Sequence, residues 1–481
     1  MKRIIFIIIL FTIPLLKGQG QDTNSKFALS LSEAIDYALD FNKSLAGARM
    51  EVEKSRHSLW ESISQGLPHA DGTLDYMTYF NYELEFSFGG SDVSFTPEQY
   101  MEAMNQTLSQ PQFSSTTPED LINHQAGNFM DAQLQSMLPP STILMSDQST
   151  AKFQISQLIF SGQYIVGIQT AKLAQKISEQ NLNFTELDVK QAVINAYYLV
   201  LITEESLGIL EQNLQNLNQI LEHTKKMYSA GMAEKTDVDQ LRITLNQLEN
   251  SKNSIFRNLE LNYNMLRFQL GLEMNVDLTL TDKLTSLFEE LRPKDALLNQ
   301  FHIESNPTYQ IMKTQEDINK KLVDLEQWNY APTIAGFYAY NAKILTTGFD
   351  MNPNHMAGLS LSLPIFSSGM RKAKVNQAKI DYRLAQNNRS ILEDQLELQY
   401  KQYRYNLQNA IENYETQKEN VVVARSVYDS YRLKFEQGMA SSLELTQANS
   451  NYLEAEGNYI SAVMEVLNAK LQLDKLQNNL E

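Results

Sequence analysis

Two short stretches decide the fold of this chain: Tyr228-Ser229-Ala230-Gly231-Met232-Ala233 and Phe435-Glu436-Gln437-Gly438-Met439-Ala440. Each places an aromatic residue, a glycine and a methionine at the same spacing, and Gly438 lies 207 residues after Gly231. Further matching pairs are Ile159-Phe160-Ser161-Gly162 with Ile365-Phe366-Ser367-Ser368-Gly369, Asn42 with Asn306, and Pro68 with Pro332. The chain therefore consists of two similar halves, and the first half carries an insertion between Pro68 and Ile159.

The repeat predicts how the chain is divided. Residues 1–20 have the order of a signal peptide, with Lys2 and Arg3 before an apolar run and small residues at the cleavage site. A membrane anchor is the alternative, but the run is shorter than the roughly 20 residues that span a bilayer. We expect a first structural repeat over 21–290 (helix, strand, long extracellular loop, strand, helical hairpin) and a second repeat over 291–481 with a shorter loop.

Composition excludes several classes of function. The formal net charge is −17, which disfavours nucleic acid as a partner because phosphate binding needs clustered lysine and arginine. The chain has no cysteine, so a lipid-modified N-terminal cysteine is excluded. The six histidines lack metal-ligand spacing, and neither a phosphate-binding glycine loop nor a serine nucleophile elbow is present. We therefore expect no enzyme activity, cofactor or metal.

Long amphipathic helices dominate both halves. Apolar residues at coiled-coil spacing include Leu207, Leu210, Leu214, Leu217 and Leu221. Two such helices joined by a short break at Gly231 or Gly438 fold back as antiparallel hairpins. Helix lengths at about 1.5 Å per residue predict a rod of roughly 100 Å. The expected helical segments are 31–66 (N-cap Ser32, weak point near Asn42), 163–228, 234–271, 307–330, 370–436 and 441–476.

Four segments alternate apolar and polar residues as strands do: 74–88, 152–160, 333–344 and 359–365. Such alternation is typical of membrane β-barrel strands, although a soluble sandwich sheet alternates equally well. Four strands cannot close a barrel, and lipid does not tolerate open edges. Copies of the chain must then pool their strands, giving eight from two chains, twelve from three or sixteen from four.

With these features the chain resembles the TolC family of outer-membrane efflux proteins over residues 30–475. The family's paired helix-break motif is matched by Tyr228-x-x-Gly231-x5-Asp237-Val238 and Phe435-x-x-Gly438-x5-Glu444-Leu445, and its Asn-Pro helix start by Asn306-Pro307. The resemblance implies a mostly α fold with a membrane β-barrel part, in which a homotrimer closes a twelve-stranded barrel and a helical tunnel. It also implies a passive exit duct in the outer-membrane lipid, reaching into the periplasm. Such a duct serves tripartite efflux or type I secretion, with a periplasmic adaptor and an inner-membrane pump as partners.

Two groups of residues are candidate sites in a protein of this family. The turns are the expected adaptor contacts because they cap the helices far from the membrane, and exposed methionine adapts to partner surfaces; they comprise Gly231, Met232, Ala233, Gly438, Met439 and Ala440. Asp237 and Glu444 are candidates for carboxylate rings at a periplasmic aperture, although acids in a first helical turn also simply favour the helix dipole. Where the family has a further acidic residue, this chain has Gln447. Where the family has a basic residue after the second glycine, this chain has Ala440.

Other interpretations remain open at this point. A periplasmic adaptor also carries a long coiled-coil hairpin, but usually one rather than two, and a non-membrane structural coiled coil is the second alternative. The insertion at about 91–148 covers the barrel outside or plugs it. The cargo (drugs, metals or secreted protein), the particular pump and adaptor, and the pore constriction are not readable from the sequence.

Overall fold

The structure is a computed structural model that describes residues 27–78, 80, 83–86, 95–111, 117, 119–120, 126–137, 141–144, 147–345 and 353–480. The predicted signal peptide, residues 1–20, lies outside the described residues. The chain divides into two compact units. The helical unit comprises Met1–Ser62, Ile165–Tyr330 and Phe366–Glu481, and the strand unit comprises Ile63–Tyr164 and Ala331–Ile365.

The elements follow each other in the order that the repeat predicts, with additions. The first repeat contains β1 (Phe27–Leu29), α1 (Leu31–Phe41), α2 (Lys43–Ser64), β2 (His69–Met77), β3 (Glu83–Phe86), α3 (Pro97–Leu108), α4 (Ala126–Met137), β4 (Ser141–Leu144), β5 (Gln148–Ser161), α5 (Gly162–Ser229) and α6 (Lys235–Leu270). The remainder contains β6 (Leu278–Leu280), α7 (Leu284–Glu290), α8 (Pro293–Ala296), a 3₁₀ turn (Ile303–Ser305), α9 (Pro307–Trp328), β7 (Thr333–Leu345), β8 (His355–Ser362), α10 (Met370–Glu436) and α11 (Ser442–Gln477).

The predicted long helices are confirmed to within about two residues at each end, because their apolar period and glycine breaks are strong signals. The N-cap assignment to Ser32 is wrong. Ser30 is the N-cap of α1, and its N–H and hydroxyl both donate to Glu33 at 2.8 Å. A capping box needs an acid three residues after the cap, which Ser30 has and Ser32 lacks.

In each repeat, an asparagine at the start of one helix donates a hydrogen bond to the last turn of the returning helix. Asn42 separates α1 from α2; its Nδ2 donates to the carbonyl of Gln269 at 2.7 Å, and its Oδ1 caps α2. Asn306 starts α9 and its Nδ2 donates to the carbonyl of Leu476 at 3.0 Å. The two acceptors, Gln269 and Leu476, are themselves 207 residues apart. The duplication seen in the sequence is therefore also present in the contacts.

Side-chain contacts join the two long helices of each hairpin. In the first hairpin, Asn262 Nδ2 donates to Thr203 at 2.8 Å and Lys252 pairs with Glu211 at 2.8 Å. In the second hairpin, the rings of Tyr428 and Tyr452 stack with centroids 5.7 Å apart. These contacts join α5 to α6 and α10 to α11, which confirms the two predicted antiparallel hairpins.

The largest apolar cluster of the helical unit is centred on the middle of α5. Tyr197, Val193 and Val200 are fully buried there, together with Leu266 of α6 and Leu467 of α11. The hydroxyl of Tyr197 donates to Asp282 at 2.9 Å, and Asp282 also accepts the N–H of Leu31 at 2.7 Å. This packing explains why α5 contains a window apolar enough to cross a membrane, since 44% of that window is buried. The cluster also covers the small parallel β1–β6 pair, which was too short to predict.

The strand unit contains an antiparallel sheet in the order β2-β5-β7-β8. The expectation of one strand over 74–88 is wrong, because β2 covers His69–Met77 and Glu83–Phe86 is a separate strand that pairs with β4. The expected strand 359–365 begins earlier and ends at Ser362, shortly before Pro364, which has no N–H for the ladder. The insertion expected to be a loop contains the helices α3 and α4, linked by a hydrogen bond from the Thr107 hydroxyl to Gln133 at 2.7 Å.

Candidate functional site: the hairpin tips and the two-faced sheet

The first tip is a glycine turn that follows α5. Gly231 has φ of +76°, in the left-handed region where glycine carries no steric cost. The N–H of Met232 donates to the carbonyl of Met227 at 2.9 Å, across the end of the helix. This is the pattern of a Schellman motif, which reverses the chain while satisfying terminal carbonyls.

The second tip repeats this geometry after α10. Gly438 has φ of +71°, and the N–H of Met439 donates to the carbonyl of Lys434 at 2.7 Å. Apart from its two chain neighbours, no described residue places a heavy atom within 4 Å of the position that a Cβ would take at Gly438 or at Gly231. Both glycines are therefore required by backbone conformation and not by close packing.

Apolar side chains are exposed at both tips. Met232 is 73% exposed and Met439 is 68% exposed, and Leu443 beside the second turn is 67% exposed. Ala440 packs against the apolar cluster between the hairpins, which includes Leu217, Leu241 and Leu445; Ala233 is half-buried. Of the residues predicted at the tips, the two methionines are exposed on the turns, and the two alanines are partly buried.

Asp237 and Glu444 occupy equivalent positions in the first turns of α6 and α11. Asp237 accepts the N–H of Glu234 at 3.0 Å, and Glu444 accepts the N–H of Ser441 at 2.8 Å. The hydrogen bonds from Ser441 hold the pKa of the exposed Glu444 carboxyl below its usual value, so this group is ionised at neutral pH. Both acids therefore accept a backbone N–H at the start of their helix.

One contact at the tips joins the two repeats and was not expected from the sequence. The Ser442 hydroxyl, buried at the start of α11, donates to Oδ1 of Asp237 on α6. Gln447, one turn further along α11, is exposed and donates to Asn451 on its own helix at 2.9 Å. The structure therefore brings Asp237 to the second tip but shows Gln447 engaged only along its helix. Because Ser442 and Asp237 are 205 residues apart, no short sequence motif indicates their contact.

A buried polar pair lies further along the hairpins from the tips. Asn213 of α5 and Asn449 of α11 are 3% and 1% exposed, and Nδ2 of Asn213 donates to Oδ1 of Asn449 at 2.7 Å. Leu214 of the same apolar seam follows Asn213 directly in the chain, and Asn213 also lines a cavity with Arg425 and Tyr452. Such an isolated polar pair in a coiled-coil seam fixes the register of the helices, at a cost in stability.

The strand register gives the sheet two different faces. Directly paired residues point to the same side, so Gly72, Phe153 and Tyr340 share one face while Thr73, Lys152 and Asn341 share the other. The first face also carries Leu74, Ile155, Tyr338, Leu359 and Leu361. The second face carries more polar residues, namely Asp71, Asp75, Gln154, Ser156 and Ser360, together with Phe337 and Met356. The apolar face is exposed, with Leu359 77% accessible and Leu74 70% accessible.

Duplicated helical hairpins together with a sheet that has one apolar and one polar face define a class of membrane channel. The chain belongs to the outer membrane efflux protein family, whose family model matches residues 144–272 and 302–479. It is an outer-membrane channel for efflux with a part that extends into the periplasm. Family membership favours the channel over a periplasmic adaptor or a structural coiled coil.

Known proteins with this fold are similar over most of their length. The chain is 21% identical over 354 residues to the outer membrane protein TolC of Salmonella enteritidis, covering 69% of this chain and 70% of that protein. The CmeC outer membrane channel of Campylobacter jejuni superposes with a TM-score of 0.66 at 15% identity, covering 96% and 90% of the two chains. The MtrE outer membrane channel of Neisseria gonorrhoeae, in its open state, gives 0.65 at 14% identity, covering 96% and 94%.

Proposed function

We propose that the chain forms a homotrimer that works as the passive exit duct of a tripartite efflux or type I secretion system. Its Gly231 and Gly438 tips bind a periplasmic adaptor, and the adaptor connects the duct to an inner-membrane pump. Transport through the duct is passive in this proposal, so the pump supplies the energy.

The observation that carries the adaptor proposal is the pair of matched turns. Met232 and Met439 are exposed apolar side chains, Leu443 is exposed beside the second of them, and the chain has the same backbone turn beneath each methionine. Flexible, polarisable methionines suit a surface that packs against partner helices. The residues proposed to contact the adaptor are Gly231, Met232, Ala233, Gly438, Met439 and Ala440.

The number of strands in the sheet supports the proposed trimer. Among the described residues of one chain, the sheet ends at β2 and β8, and each of these strands pairs on one side only. An apolar face in lipid requires closed edges, and three sheets of four strands give a barrel of twelve. We also propose that Asp237, Glu444 and Gln447 line the periplasmic aperture, where a ring of acidic side chains favours cations.

The adaptor proposal is tested with the full-length protein in cells. Met439→Asp and Met232→Asp place a charge on the exposed tips without disturbing the turns, and Gly438→Asp changes the second turn itself. We expect loss of adaptor crosslinking and of dye efflux, with normal amounts of the channel in the outer membrane.

The matched control is Met274→Asp, because Met274 is also exposed (54%) but lies in the segment after α6 and far from the turns in sequence. It should retain crosslinking and efflux. If all three tip variants behave like this control, the adaptor does not bind at the tips.

A further inference from the structure

The segment that joins β8 to α10 is positively charged in an otherwise acidic chain. Residues 351–380 contain no aspartate or glutamate, although the chain has 57 acidic residues. Arg371, Lys372 and Lys374 lie within the first turns of α10, and Lys379 follows on the same helix. The three lysines are exposed. Several cations with no acid beside them in the sequence attract an anionic surface.

These cations do not stabilise the helix on which they lie. Positive side chains at the start of a helix oppose the helix dipole. Among the described residues, none forms an ion pair with Lys372 or Lys374. The first repeat also builds the start of its long helix without charge: at the offset of 207 residues between the glycine turns, the three cations correspond to Tyr164, Ile165 and Gly167 of α5. The fold of the chain therefore does not account for the cluster.

A row of exposed apolar residues leads from the apolar face of β8 to this cluster. Every second residue of the row is apolar and more than half exposed, namely Leu359, Leu361, Leu363 and Ile365. The chain then turns, because the N–H of Met370 donates to the carbonyl of Ser367 at 2.9 Å. Since α10 belongs to the part of the channel that extends into the periplasm, the chain leaves the apolar layer at its periplasmic side.

Aromatic side chains occur at the same boundary. The guanidinium carbon of Arg371 lies 5.6 Å from the ring centre of Tyr330, which is half-exposed and comes three residues before β7. The chain has two tryptophans, and both are exposed shortly before a strand of the sheet, Trp60 on α2 and Trp328 at the end of α9. Tryptophan and tyrosine are enriched at the depth of lipid head groups. The contact with Tyr330 therefore indicates that Arg371 lies at the depth of lipid phosphates.

We propose that Arg371, Lys372 and Lys374 bind the phosphate groups of anionic phospholipids in the periplasm-facing leaflet of the outer membrane. Long basic side chains lay their aliphatic stems along apolar surface while their charged ends reach the head groups. Clusters of basic residues next to a membrane segment attract acidic lipids in this way. The proposal uses the outer-membrane location of the channel and does not depend on the adaptor or on the number of subunits.

The two tryptophans allow the lipid beside the cluster to be identified. In full-length protein with Trp60→Phe, Trp328 is the one tryptophan left, two residues from Tyr330. The protein is reconstituted into phosphatidylcholine vesicles that contain a minor fraction of a brominated lipid, either phosphatidylglycerol or phosphatidylcholine, at equal mole fraction. Bromine near the carbonyl end of the acyl chain quenches tryptophan fluorescence at short range, so the quenching reports which lipid is bound.

We expect phosphatidylglycerol to associate about fivefold more strongly than phosphatidylcholine, the effect of roughly one basic side chain at an anionic surface. The variant Arg371→Gln/Lys372→Gln/Lys374→Gln should reduce this ratio to about one, because it removes the charge and keeps side chains of similar length. Added salt should lower the wild-type ratio, since it screens exposed charges.

The matched control is Lys401→Gln/Arg404→Gln/Lys418→Gln, which removes the same charge from exposed positions on the same helix. Lys401 lies 30 residues after Arg371, about 45 Å further along α10. This control should keep the preference for phosphatidylglycerol.

Equal quenching by the two brominated lipids in the protein with its cluster intact would overturn the proposal before any charge is removed. A preference that survives in the triple variant would also overturn it, as would a preference lost equally in the control, because overall charge would then be the cause. The heat-modifiable band on gels measures how much of each variant is inserted. If the triple variant does not insert, Lys372→Gln/Lys374→Gln takes its place, and a preference unchanged in that variant counts against the site.

Discussion

At the scale of single residues, the tip glycines show how a local conformation is readable from sequence. Gly231 and Gly438 were predicted as helix breaks and have φ of +76° and +71°. Their neighbours were less predictable, since the contact of Ser442 with Asp237 joins residues 205 positions apart. The N-cap at Ser30 is predictable from the sequence only when Glu33 is considered with it, because both residues form the capping box.

The left-handed conformation gives a direct prediction. Gly438→Ala should destabilise the protein by about 1–2 kcal/mol, because an alanine pays the left-handed strain without meeting any neighbouring atom. Gly457→Ala is the control: Gly457 lies inside α11 with open space around it, and the change should stabilise by about 0.5–1 kcal/mol. Thermal unfolding in detergent measures both, and equal shifts of the same sign would contradict the explanation.

At the scale of elements, the sequence predicted the long helices closely and the strands less well. Each helix repeats its apolar period over many turns, so errors at single positions average out. Strands of eight to fourteen residues offer few repeats, and the alternation over 74–88 continued through a break after Met77. The β1–β6 pair has three residues a strand and depends on contacts between distant segments.

The buried Asn213–Asn449 pair gives a prediction for helix packing. Asn213→Leu should destabilise by about 1–3 kcal/mol because Asn449 is then buried without its partner. The double variant Asn213→Leu/Asn449→Leu should recover most of that loss, since two leucines suit the surrounding seam. Denaturation midpoints of the two single variants and the double variant provide the test; additive losses would rule out a shared interaction.

The two faces of the sheet give a prediction with its control on the same strand. Leu359→Arg places a charge on the apolar face of β8 and should cost about 2–4 kcal/mol at mid-bilayer depth. Ser360→Arg, one residue on, places the same charge on the polar face, where it remains hydrated. We expect a strong fall in membrane-inserted protein for Leu359→Arg only, measured as the heat-modifiable band on gels. Similar yields for both would mean that the faces are assigned wrongly.

At the scale of the whole molecule, function depends on how copies combine, and there the sequence alone left two, three or four chains open. The periodicity of apolar residues within one chain does not indicate how many copies assemble. The repeat nevertheless carries information about assembly, because contacts inside the chain indicate which surfaces remain for a neighbour.

The proposed aperture gives a prediction at this scale. Glu444→Gln keeps the capping box, since glutamine also serves at that position, but removes one charge from every copy. We expect lower cation preference in planar-bilayer recordings at neutral pH, and unchanged selectivity would reject the ring. Because hydrogen bonds from Ser441 lower the pKa of Glu444, its carboxylate stays ionised at pH values below its ordinary pKa and loses its charge only as the pH falls through the lowered value. The wild-type preference should therefore survive mild acidification.

The matched joints at Asn42 and Asn306 have an evolutionary consequence. If the proposed trimer were instead built from six identical single hairpins, it would use one kind of seam everywhere, and any substitution would alter all six at once. Because two hairpins are fused in one gene, seams inside a subunit can diverge from seams between subunits. Selection can then change the contacts inside a subunit without changing those between subunits.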